Sequence, residues 1–109
     1  MATSRGTVDF ILDQASGAGE VSARPMFGEY GFYHDGKLIG LICDDTLFVK
    51  PTIGACALFP EAERASPYPG AKDQLVATPL LDEPDRLVAV IRAAWADLPL
   101  PKPRKPKGR

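Results

Sequence analysis

Acid-base or metal chemistry in this chain would have to use one histidine, His34, and two cysteines, Cys43 and Cys56. A Ser/His/Asp relay would need His34, yet no serine stands in a nucleophile-elbow context. A metal site would need a set such as His34, Cys43 and an aspartate, and no ligand spacing supports one. His34 lies beside a turn, where a solvated strand end is expected. The two cysteines are too few and too far apart for a metal knuckle or a CxxC pair, and a reducing cytosol keeps thiols free, so both read as small buried hydrophobes. Gly28-x-x-Gly31 lacks the lysine and the helix start that phosphate cradling requires. Asp44 and Asp45 are adjacent turn residues pointing apart. No catalytic residue, metal or cofactor is implied. Arg24 could pair with Glu29, pair with an acid of the first helix, or hold an anionic ligand. Tyr68, between two prolines, packs a loop onto the body or lines a groove beside the sheet.

Charge is unevenly distributed. The last nine residues hold Lys102, Arg104, Lys105, Lys107 and Arg109; of 13 basic side chains eight remain for the first 100 residues, against 14 acidic ones, a balance of −6. Pro101, Pro103 and Pro106 among those cations predict an extended arm that buries nothing. Five cations on such an arm could neutralise phosphates, which makes nucleic acid an alternative partner with salt-dependent affinity. No stretch approaches the roughly 20 apolar residues of a membrane span, and the N-terminus lacks a signal-peptide run, so a cytoplasmic protein without membrane contact is expected.

The elements that must position these residues follow from periodicity. Thr3 to Ser16 carries Val8, Ile11, Leu12 and Ala15 at helical spacing. Glu20 to Arg24 reads as a strand that Pro25 confines to a sheet edge, and Met26-Phe27-Gly28 as a bend. Tyr30 to His34, Lys37 to Cys43 and Thr46 to Lys50 form a meander, joined by the strong hairpin signal Asp35-Gly36 and the weaker Asp44-Asp45. Ile53 to Leu58 is a short helix capped near Thr52, with a further turn over Glu61 to Ala65. Gln74 to Thr78 is another strand. Pro84 opens a last helix with Leu87, Ile91, Ala94, Trp95 and Leu98 on one stripe, ended by Pro99. The result is an α+β fold in two layers, an antiparallel sheet of about five strands with helices on one face, in the order α-β-β-β-β-α-β-α. Residues 1–100 form the domain and 101–109 the tail.

Two-residue turns fix which side chains share a face. Pairing outward from Asp35-Gly36 sets Phe32 against Ile39, Gly31 against Gly40 and Tyr30 against Leu41; pairing outward from Asp44-Asp45 sets Leu41 against Phe48 and Gly40 against Val49. In this register Gly31, Tyr33, Leu38, Gly40, Ile42, Leu47 and Val49 lie on the face that helices cover, with two adjacent glycines allowing close approach. Tyr30, Phe32, Ile39, Leu41 and Phe48 lie on the other. An uncovered apolar face of that size predicts a homodimer or another protein partner.

Arg24-x-Met26-Phe27-Gly28, Gly31-x-Tyr33-x-x-Gly36 and Leu47-Phe48-Val49-Lys50, with Pro67-Tyr68 between the later elements, resemble the N-terminal domain of the TfoX/Sxy family of bacterial competence regulators. The likeness runs from the first helix to Trp95, with Glu29 where the family usually has a second glycine. Full-length competence regulators carry a further C-terminal helical domain absent from these 109 residues, so the resemblance implies a fold ahead of an activity. The expectation is a small non-catalytic regulatory module that works by self-association or protein contact.

Overall fold

The structure, a computed structural model, describes residues 3–99. The tail cations from Lys102 to Arg109 lie outside them. Helix α1 (Arg5–Ala15) is capped by Ser4, whose hydroxyl accepts from the Thr7 N–H. Strands β1 (Val21–Met26), β2 (Glu29–His34), β3 (Lys37–Cys43) and β4 (Thr46–Val49) follow as consecutive hairpins. Helix α2 (Ile53–Leu58) starts on a Thr52 cap, and β5 (Arg64–Ala65) and β6 (Gln74–Val76) lead to α3 (Pro84–Asp97). The antiparallel sheet has the order β1-β2-β3-β4-β6-β5. It gains a strand over the expected five because Arg64 and Ala65 pair with β6 instead of adding a helical turn.

All three hairpins turn through two residues with positive φ, the requirement of a type I′ turn: Phe27-Gly28, Asp35-Gly36 and Asp44-Asp45. The bend at Met26-Phe27-Gly28 is thus a true hairpin. Pro25 lies on β1, the outermost strand, as an edge proline should.

The β3/β4 register is the expected one, Gly40 opposite Val49 and Leu41 opposite Phe48. The β2/β3 register is not. Tyr33 still faces Leu38, but Phe32 faces Gly40, Gly31 faces Leu41 and Tyr30 faces Ile42. Ile39 is the extra residue of a β-bulge, so β2 and the start of β3 exchange faces relative to the rest of β3 and to β4. Phe32 and Ile39, expected on the uncovered face, are fully buried with Ile42, Leu47 and Val49 beneath the helices, and Tyr30 packs against the same cluster. Leu41 and Phe48 form a second cluster with Cys43 on the helix-free side. The face assignment is therefore corrected for Tyr30, Phe32 and Ile39, which lie under the helices, and for Gly31, Tyr33 and Leu38, which lie on the helix-free side. The glycines are not a helix seat either. A Cβ on Gly40 would stand 1.8 Å from the Phe48 carbonyl oxygen, so the bulge presses backbone on backbone, while Gly31 lies against the side chains of Met26, Tyr33 and Leu38.

The main core unites Ile11 and Ala15 of α1, Ala55 of α2, and Leu87, Val90, Ile91 and Ala94 of α3 with the covered sheet face. None of the described helices is long and apolar enough to cross a membrane.

Candidate functional site

On the helix-free side, Arg24, Met26, Glu29, Gly31, Tyr33, Leu38, Leu41, Cys43, Phe48 and Val76 follow one another across the strands. The sequence leaves this face uncovered, yet Leu41, Cys43 and Phe48 are buried. The connection from β5 to β6 brings Tyr68 to the edge of their cluster, and the Ser66 hydroxyl ties it by donating to the Tyr68 and Ala71 carbonyls. Tyr68 thus takes the second of its two expected roles, as a groove residue.

A pocket of about 140 Å3 remains between this loop and the β1–β2 hairpin, lined by Met26, Phe27, Glu29, Leu41, Cys43 and Tyr68. Its lining is mostly apolar. At the mouth, the Phe27 side chain is 91% exposed and that of Tyr68 46%. Phe27 occupies the left-handed region at φ 52, where a bulky L-residue is an outlier because its Cβ crowds the following carbonyl. Its ring gains almost nothing from the fold in return.

The pocket's one charged lining residue is committed elsewhere. Glu29 accepts from the Thr3 N–H at 2.9 Å through Oε1 and from the Asp44 N–H at 2.9 Å through Oε2. Partial burial pushes its carboxyl upward, but the hydrogen bonds from the Thr3 hydroxyl and from the Asp44 and Thr3 amides outweigh it and hold the pKa below the usual range. Asp45 adds a second tie to the N-terminus by accepting from the Ser4 N–H, the main cause of its own lowered pKa, while its amide donates to the Thr3 hydroxyl. Glu29 thus clamps Thr3, just before α1, to the β3–β4 turn. Arg24 pairs with no acid among the described residues and lies over the Tyr33 ring, 4.8 Å from its centroid. Burial, followed by the charges of Glu29 and Asp44, raises the Cys43 thiol. Cys56 is half-buried, with its sulfur near Arg64.

His34 is not the solvated strand end expected. It is buried, with Nδ1 donating to the Glu20 carbonyl at 2.8 Å and its ring edge-on to Trp95. The turn end docks under the end of α3, where Lys37, also buried, donates to the carbonyls of Trp95 at 2.7 Å and Leu98 at 2.6 Å with its ammonium 3.7 Å from the Trp95 ring centroid. A lysine on the orphan carbonyls of a helix C-terminus satisfies groups the helix cannot and opposes its dipole. Of the remaining motif residues, Gly28 and Gly36 are the second central residues of their turns. Lys50 lies apart beside Thr52 and Lys72 in a shallow depression, where burial lowers its pKa. Among the described residues no three His, Cys, Asp or Glu side chains gather as a metal site.

Comparison with known proteins fits this picture. An uncharacterized 12.7 kDa protein in the trpE 5′ region of Spirochaeta aurantia is 42% identical over 107 residues, covering 98% of this chain and 93% of that protein. No solved structure matches the chain. With the TfoX N-terminal domain matching residues 13–98, which span the sheet, the pocket, α2, α3 and the last turn of α1, the chain belongs to the TfoX N-terminal domain family.

Proposed function

We propose that this protein is a non-catalytic interaction module of the regulatory kind, and that its contact surface is the helix-free sheet face around the Phe27–Tyr68 pocket. The observation that carries this reading is Phe27, an aromatic ring 91% exposed on a strained turn at the mouth of an apolar pocket. Strain of this sort persists where the surrounding structure enforces it and is concentrated at functional positions. Exposed aromatics beside a pocket are the side chains that dominate protein contacts. The histidine and the two pocket residues that could do acid, base or nucleophilic chemistry are committed structurally: His34 on a backbone carbonyl, Glu29 on two amides, and Cys43 inside an apolar cluster.

The test is photocross-linking in cells with a photoreactive phenylalanine analogue at position 27, or at Ile53, which is 88% exposed at the start of α2. A discrete protein adduct at position 27 and not at 53 is expected. Equal adduct patterns at both positions would refute the reading.

A further inference from the structure

We infer that the occupant of this pocket is the Phe27 ring of a second copy of this chain, inserted reciprocally across a two-fold axis. The inference rests on the face being a contact surface and adds which partner fills it. The first argument is size. A dry cavity of about 150 Å3 lined by aliphatic and aromatic side chains takes up one benzene molecule, and the pocket here is about 140 Å3, lined by Met26, Leu41, Cys43 and the two mouth aromatics. It accommodates one aromatic ring.

The second argument is supply. Phe27 is the most exposed of the large apolar side chains in the described chain. It stands at the rim of the pocket, raised on a two-residue turn. When a protruding group and a cavity that fits it share one rim, a two-fold axis through the rim satisfies both at once, since in an isologous contact each copy gives what the other receives. The third argument is charge. The single acidic lining residue, Glu29, already accepts from the Thr3 and Asp44 amides, so closing the pocket desolvates no unpaired charge. Two inserted rings and the flanking Tyr68 make a small interface, which places the dimer at the weak, reversible end of the range.

Sedimentation of the full chain from about 1 to 500 μM tests this. The wild type should pass from monomer to dimer, and Phe27→Asn should weaken self-association about thirtyfold or more, as expected for loss of a central aromatic anchor. Phe27→Tyr, which keeps the ring, should retain most of it. Should Phe27→Asn fail to fold, the photoreactive analogue at position 27 in the purified chain gives an independent answer: an adduct of twice the chain mass, linked within residues 41–43 or at Tyr68. A wild type that stays monomeric throughout, or a Phe27→Asn variant that dimerises equally well, overturns the inference. If the wild type is monomeric while position 27 links to a different protein in cells, the contact surface stands and the second copy does not.

Discussion

Replacing Phe27 by asparagine should stabilise the monomer, contrary to the usual result of removing a large apolar side chain. The left-handed conformation costs an ordinary L-residue roughly 1–2 kcal/mol, which asparagine largely escapes by hydrogen-bonding locally. Full burial of a phenylalanine is worth about 1.5–3 kcal/mol, but Phe27 is 91% exposed, so truncating it forfeits only about 0.2 kcal/mol. The net gain is about 1 kcal/mol, or roughly 4–8 °C in Tm for a domain of this size. Phe27→Ala provides the control, because alanine keeps its Cβ in the same strained region and should melt close to the wild type. Thermal melts followed by circular dichroism at about 1 μM keep self-association out of the measurement. A loss of several degrees in Phe27→Asn would show that the ring packs within its own chain and would refute the account of an unrewarded, strained aromatic.

Further outcomes follow from the other sites. His34→Ala should destabilise by about 1–3 kcal/mol in urea unfolding, since it removes a buried side chain that donates to the Glu20 carbonyl and opens space beside Trp95. Lys37→Met keeps the aliphatic stem but takes the ammonium from the Leu98 carbonyl and from that of Trp95, and should cost about 1–3 kcal/mol by the same measurement. Gly40→Ala should abolish folding as judged by circular dichroism, because its Cβ would sit 1.8 Å from a backbone oxygen in an adjacent strand. Glu29 has a folded pKa below its unfolded value, so its contribution is present above the ordinary glutamate range near pH ~4.3 and is lost as pH falls through the folded pKa. Glu29→Gln should therefore lower stability at pH 7 and flatten the acid limb of stability against pH; an unchanged acid limb would mean the clamp is not titrating.

How much was legible in the sequence varied with the locality of the signal. Helix α2 begins and ends where its threonine cap and apolar run predict, and α3 starts at Pro84, because caps and periodicity are written in neighbouring residues. Asp35-Gly36 and Asp44-Asp45 turn as read, since these residues tolerate positive φ. Phe27 hid the third such turn, because a bulky aromatic is atypical there. The bulge at Ile39 carries the largest correction: one extra residue separated Phe32 from Leu41, carrying Tyr30, Phe32 and Ile39 to the helix side while Leu41 and Phe48 stay on the expected face. Its one local sign is a glycine inside a strand, Gly40, which marks a bulge or a close backbone approach as readily as a helix seat. The burial of His34 and Lys37 was not legible, because it depends on the end of α3, some 60 residues away.

The outer strands carry a consequence for how copies can meet. On one side β1 contains Pro25, which has no N–H to offer, and on the other β5 is two residues long. Neither border is a good template for adding a strand, so the sheet is guarded against open-ended growth, the hazard of any unclosed antiparallel sheet. Association is thereby directed away from backbone pairing, which can propagate without limit, and toward side-chain contacts on a face, where a two-fold arrangement stops at two.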